Sequence, residues 1–304
     1  VTKLSFAEII RSGLKPEEVV IQLPNLAILV MGLSGIGKTY FLGTAEKPLL
    51  VQQFDPPSKS DTYENLGFLP SSLESTQWGD VQHYFSAKQP DRWIIRVEYF
   101  DEPNPRSARA ISNFMGRMNS IEKDIREWGV RTVGLDCLTS METAARWYNK
   151  YSFHPSNKEG KEVADERIHY GASARIIEEY AFGRYPGLQR LCNVVLLAHV
   201  KNAKDDEAGP DEDQNEMRKT LAAPGQQAWK IPSGLSEVYR LYRDEKGNRW
   251  LQTDARPTNT FECKSIRGLK DPTQAHWRAI TTQLEERYAK RLAELTRKEK
   301  KDGE

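Results

Sequence analysis

The chain has 304 residues, 38% hydrophobic and 29% charged, with 44 Lys and Arg against 43 Asp and Glu. A mean hydropathy of −0.68, with no run of about 18 apolar residues, excludes a membrane-spanning helix and argues for a chain without a membrane partner. The near-neutral balance gives no global basic excess from which to argue a nucleic-acid partner.

The chain opens on Val1-Thr2-Lys3-Leu4, without an initiator Met and without the apolar core of a signal peptide. A processed or trimmed chain and a cytoplasmic location are the expectations. Ser5 to Arg11 reads as a short helix, Ser5 capping and Glu8 following three residues on. Leu26 to Met31 is a continuous apolar run before a glycine-rich turn, the pattern of a strand buried on both faces of a parallel sheet. Pro48 to Val51 is a second such run, leading to Asp55. Arg92 to Phe100 is mixed in character and is expected at a sheet edge. From Ser107 to Trp128 the apolar residues Ile111, Phe114, Met115, Met118, Ile121, Ile125 and Trp128 recur in steps of three and four, predicting one amphipathic helix closed by Gly129.

Val130 to Asp136 is the next strand, Asp165 to Arg190 the next helix, and Cys192 to His199 the most hydrophobic strand of all. This alternation predicts an α/β fold, a mostly parallel twisted sheet flanked by helices. The stretches Ser152 to Ala164 and Lys201 to Lys219 resist secondary structure, and loops of that length inside a compact domain are commonly functional or disordered. Ser236 to Arg243, a turn over Asp244 to Asn248, and Arg249 to Thr253 predict an antiparallel hairpin. Ala279 to Glu304 is a charged terminal helix whose stripe of Leu284, Tyr288, Leu292 and Leu295 either packs on the core or binds a partner. The expected organisation is a lead-in over 1–23, a core over 24–275 and a tail over 276–304. Cys137, Cys192 and Cys263 have no metal-ligand or disulfide spacing; each is expected as a small buried residue in a reducing compartment.

The strongest chemical signal is Gly32-Leu33-Ser34-Gly35-Ile36-Gly37-Lys38-Thr39, a G-x-x-x-x-G-K-[ST] loop between a buried strand and a helix. Polyphosphate needs a turn whose backbone N–H groups converge, and glycines permit both that shape and close approach. A random chain of this length would contain the pattern on the order of once in a hundred. Gly32, Ser34, Gly35, Ile36, Gly37, Lys38, Thr39 and Tyr40 are therefore the candidate nucleotide-binding residues. Lys38 is expected on the β- and γ-phosphates and the Thr39 hydroxyl on Mg²⁺. Asp136, ending a buried strand, is the expected second Mg²⁺ contact. Cys137 follows it where many ring ATPases place a catalytic Glu, so the water-activating group lies elsewhere.

This order of phosphate loop, strand to Asp55, strand to Asp136, helix, and strand to Lys201 resembles the RecA-like ATPases, and among them the phage-encoded single-strand-annealing type. Asp165 to Arg175 is similar to the helix start after the first DNA-binding loop of RecA. Phe54 to Ser60, with Tyr63 and Gly67, is similar to the segment after its second core strand. The resemblance covers about residues 24 to 270 and implies ATP and Mg²⁺ as cofactors, with ATP hydrolysis coupled to single-stranded DNA binding or annealing in recombination. It implies that His199 senses the γ-phosphate. Tyr151 to Ala164 and Lys201 to Lys219 become the two DNA-binding loops, with Lys150, Tyr151, Lys158, Lys161, Lys201, Lys204, Arg218 and Lys219 as contacts. The second loop is net acidic, and a solvated loop is the plain alternative. Asp55 is the candidate water-activating carboxylate, with Glu98 the alternative. Lys264 and Arg267 are candidate catalytic cations reaching a neighbour's γ-phosphate in a homo-oligomeric ring or filament. A single-strand-binding protein is an expected partner. A helicase or packaging-type motor, or a nucleotide-switched module with little turnover, remain the competing readings.

Overall fold

A computed structural model describes residues 3–4, 20–21, 23–55, 61–71, 79–100, 108–153, 166–202, 219–221, 232, 235–255 and 263–302. The short helix expected at Ser5 to Arg11 lies outside them, as do Lys158, Lys161, Lys204 and Arg218.

Two short strands, β1 (Lys3–Leu4) and β2 (Val20–Ile21), pair with each other. Among the described residues the main sheet has 12 strands. Its core is six parallel strands in the order β11 (Glu237–Arg243), β3 (Ala27–Gly32), β9 (Asn193–Asn202), β8 (Thr132–Asp136), β4 (Leu49–Gln53) and β7 (Gln89–Tyr99). Antiparallel strands extend both flanks. On one side β12 (Arg249–Gln252) and β13 (Lys264–Ser265) pair with β11, and β14 (Thr273–Gln274) pairs with β12. On the other, β6 (Val81–Ser86) pairs with β7, and β5 (Leu69–Pro70) with β6. The strand–helix alternation thus gives the α/β class it predicts, with an antiparallel hairpin toward the C-terminus.

The pleat sorts this sheet into two cores. Along β3, Ala27, Leu29 and Met31 face one side while Ile28 and Val30 face the other; Val194 and Leu196 oppose Val195 and Leu197 on β9 in the same way. The first face is covered by α3 (Ala110–Met118), α4 (Ile121–Trp128), α5 (Leu138–Tyr148) and α6 (Glu166–Ile177), around an aromatic group in which Phe114 meets Phe54, Phe100, Tyr180 and Tyr185. The second face carries α1 (Lys38–Gly43), the short α2 (Asp61–Glu64) and the terminal helix α8 (Trp277–Asp302), whose Ile280, Leu284 and Leu292 are buried. Between α6 and β9 the chain stays helical through a wide turn at Glu178–Arg184 and a short α7 (Tyr185–Gly187). The tail stripe therefore packs on the core. No helix among the described residues is long and apolar enough to cross a membrane.

Three expectations are corrected. Arg92 to Phe100 is not an edge: β7 has β4 on one side and β6 on the other. The single helix over Ser107 to Trp128 is two, broken at Asn119 and Ser120; Ser120 accepts from Arg117, which also binds Asp124 of the second helix. Lys201 and Lys219 are strand residues, because β9 runs on to Asn202 and pairs antiparallel with β10 (Lys219–Leu221).

Candidate phosphate-binding site

β3 delivers the chain into the glycine loop at Gly32. Gly35 and Gly37 adopt φ of +71° and +108°, left-handed values that favour glycine. A side chain at Gly32 would meet Ile36 Cγ2 and Leu241 O, both at 3.0 Å. Gly37 caps α1 and its carbonyl accepts from Phe41 N at 3.0 Å. The Lys38 ammonium, largely buried, donates to Gly32 O (3.0 Å) and Leu33 O (2.9 Å). Its third contact is His199 Nδ1 at 3.1 Å. An ammonium only donates, so a hydrogen bond between these two has His199 Nδ1 as its acceptor. His199 stands opposite Gly32 in the β3–β9 register, and its backbone N–H donates to Thr139 Oγ1 at 3.0 Å.

The same pleat brings the carboxylate to the loop. Val133 and Leu135 of β8 face the first core, so Gly134 and Asp136 face α1. A Cβ on Gly134 would lie 2.6 Å from the Leu42 methyls, so glycine lets α1 sit close on the sheet. One residue pair further on, Thr39 Oγ1 donates to Asp136 Oδ2 at 2.6 Å. A hydroxyl beside a buried carboxylate is a hard oxygen set that suits Mg²⁺, which this pair would hold. Asp55, Cys137 and His199 also bring ligand atoms within 4.8 Å of one another, but with a thiol and an imidazole they suit a softer ion.

Asp55 is buried and accepts from Ser140 Oγ, and from Cys137 Sγ at 3.5 Å. Burial, with the Asp55 and Asp136 carboxylates adding to it, pushes the Cys137 thiol up to about 12. Glu98, the alternative base, lies outside the cleft: its carboxylate is held by Arg96 at 2.9 Å and Arg117 at 2.8 Å.

These groups line one cleft of about 560 Å³, formed by Ser34, Gly35, Gly37, Lys38, Thr39, Tyr40, Asp55, Asp136 and His199. Ile36 does not line the cleft; its side chain packs on the second core. Sequence reasoning missed four wall residues, Thr62, Asn65, Arg243 and Arg249. The alternation of Tyr239 and Leu241 into the second core would have put Arg243 on the loop's face, but only the β11–β3 pairing puts it beside the loop.

Other expected residues are not gathered here. Lys264 and Ser265 pair with Val238 and Glu237, and Glu237 stands beside Ile28, away from the end of β3 that enters the loop. Arg267 donates to Asn25 O at 3.2 Å and lies 3.7 Å from the buried Glu237 carboxylate, so neither cation reaches the chain's own cleft. Lys150 and Tyr151 sit in a wide helical turn after α5, the Lys150 ammonium 5.5 Å from the Tyr151 ring centre. The neighbouring Tyr148 packs against the first core.

No family model matches the chain, and no curated protein matches it. Among solved structures, a KaiC-like protein of the hyperthermophilic archaeon Pyrococcus horikoshii is 12% identical with a TM-score of 0.35, over 75% of this chain and 77% of that one. An ATPase of the type III secretion system of pathogenic bacteria is 16% identical with a TM-score of 0.39, over 72% of this chain and 52% of that one. At these scores neither likeness adds to what the strand order and the loop geometry establish.

Proposed function

We propose that the chain is a RecA-like P-loop ATPase that binds and hydrolyses ATP with Mg²⁺ in this cleft. The observation that carries the reading is the Thr39–Asp136 hydrogen bond at 2.6 Å, which joins the glycine loop to the carboxylate of a strand two places away in the sheet. Loop amides cradle the phosphates, and Lys38 exchanges the Gly32 and Leu33 carbonyls for phosphate oxygens. Mg²⁺ held by Thr39 and Asp136 would supply charge neutralisation to the phosphates. Asp55 orients the attacking water and accepts its proton; Ser140 fixes the carboxylate in place. His199, in contact with Lys38, reads whether that ammonium is on a phosphate or on the loop.

The reading extends to single-stranded DNA annealing of the recombination type, in a homo-oligomer whose Lys264 or Arg267 reaches a neighbour's nucleotide and which works beside a single-strand-binding protein. Its support is the β9–β10 ladder, which starts one residue after His199 and leads directly to residues 203–218. A second reading, a nucleotide-switched module with little turnover, is favoured by the Asp55 carboxylate already accepting from both Ser140 and Cys137.

The test is ATP binding and turnover by the full chain and by Lys38→Ala, with and without single-stranded DNA at several salt concentrations. The ATPase reading expects Lys38→Ala to lose nucleotide affinity, and DNA to raise turnover in a salt-dependent way. Unchanged affinity in Lys38→Ala sinks the site. Tight ATP binding without turnover, with or without DNA, selects the switch.

A further inference from the structure

We propose that Arg243 and Arg249 form a cationic clamp, supplied by the chain itself, for the α- and β-phosphates of the nucleotide. The proposal rests on the nucleotide reading above and names a part of the site that the glycine motif does not contain.

The two arginines are direct cross-strand partners on β11 and β12. They share a face, since Leu241 and Leu251, two residues before and after them, both enter the second core. Like charges placed directly opposite each other destabilise a strand pair. Neither arginine has an ion-pair partner among the described residues to offset this. The one acid in the intervening turn whose carboxylate has fixed contacts is Asp244, which accepts from Trp250 Nε1 at 2.9 Å and Asn248 Nδ2 at 3.0 Å.

Both guanidinium groups are instead aimed at the glycine loop. Arg243 Nη2 donates to Gly35 O and Arg249 Nε to Ile36 O, each at 3.3 Å. Arg249 is further set by stacking over the Tyr40 ring, 4.6 Å from its centre. Each guanidinium has five N–H donors, and the loop carbonyls use one apiece. The rest are available at the cleft wall, which both residues line. Planar, paired donors suit phosphate oxygens, and a bridging anion removes the mutual repulsion.

The strand order fixes which phosphates these are. Asp136 and His199 stand on the β8 and β9 side of β3, and Arg243 and Arg249 stand on its β11 side. A phosphate chain across the loop therefore meets the carboxylate and histidine at its γ end and the arginines at its α and β end.

The experiment is calorimetric titration of the full chain, and of Arg243→Ala, Arg249→Ala and Arg249→Lys, with MgATP, MgADP and inorganic tripolyphosphate. Each alanine variant is expected to lose about tenfold or more in affinity for all three, with ADP suffering as much as ATP. Arg249→Lys should recover part of the loss. Melting temperatures should hold or rise, since removing one cation relieves the pair. Wild-type binding with variants within about twofold overturns the clamp and leaves the nucleotide reading standing. Loss for the nucleotides but not for tripolyphosphate also overturns it, because the arginines would then act on the nucleoside. A folded wild-type chain that binds none of the three overturns the nucleotide reading and the clamp with it.

Discussion

The two flanks of the cleft are built on opposite principles. On the β8–β9 flank the polar groups satisfy one another: Thr39 bonds Asp136, Ser140 and Cys137 bond Asp55, and His199 meets Lys38. These groups all come from one chain, and they must exchange partners to do chemistry. On the β11–β12 flank two cations face each other, held by loop carbonyls and, for Arg249, by the Tyr40 ring. The first flank is ordered by the fold, whereas the second calls for an anion. On the proposed function, such a site would bind polyphosphate on one side and reserve the other for turnover.

The largest test of this contrast is Asp55→Asn. Turnover should fall by about 10²- to 10⁴-fold, the range for losing a general base, with ATP affinity within threefold of wild type. Steady-state rates and calorimetry measure the two quantities, and a variant that turns over normally would move the base elsewhere. Next in size is Gly134→Ala. The added methyl overlaps Leu42, so the chain should lose about 1–3 kcal/mol by overpacking and α1 should shift off the sheet. Denaturant melts and nucleotide affinity should drop together. Affinity that survives a loss of stability would mean that the Thr39–Asp136 bond tolerates movement of α1.

The smallest effect is protonic. Burial lowers the Lys47 ammonium, which donates to Gly43 O and Ala45 O just past α1, to about 7. The unfolded chain holds that proton up to 10.5, so this group adds stability as pH rises from about 7. Burial raises the Cys137 and Cys192 thiols to about 12 from 9.0, so they withdraw stability above pH 9. The melting temperature should therefore climb from pH 7 toward 9 and fall beyond it, and Lys47→Met should flatten the climb. A wild-type melting temperature that falls from pH 7 to 9 would contradict the assignment to Lys47.

What was legible in the sequence was local. The glycine loop carries its chemistry within eight residues, and the runs at Leu26, Pro48, Val130 and Cys192 announce buried strands because parallel strands are apolar on both faces. α5 keeps helical spacing in its buried Leu138, Met141, Ala144 and Ala145; what its sequence does not show is that the half-buried Thr139 and Ser140 beside them have roles at the site and its margin. β6 escaped because His83, which bonds Arg96, and Gln82 mask its alternation. Arg243 and Arg249 were visible as hairpin residues, but their place at the cleft depends on β11 pairing with β3, some two hundred positions away along the chain. No local pattern records that pairing.

The β9–β10 ladder has one more consequence. Asn202 and Lys219 are register partners, so whatever lies between them leaves and rejoins the sheet at a single rung. Closure of such an excursion depends only weakly on its length. A short turn grafted between those two positions in place of residues 203–218 is therefore expected to keep nucleotide affinity, and whatever activity is lost with the replacement reports what the native segment contributes.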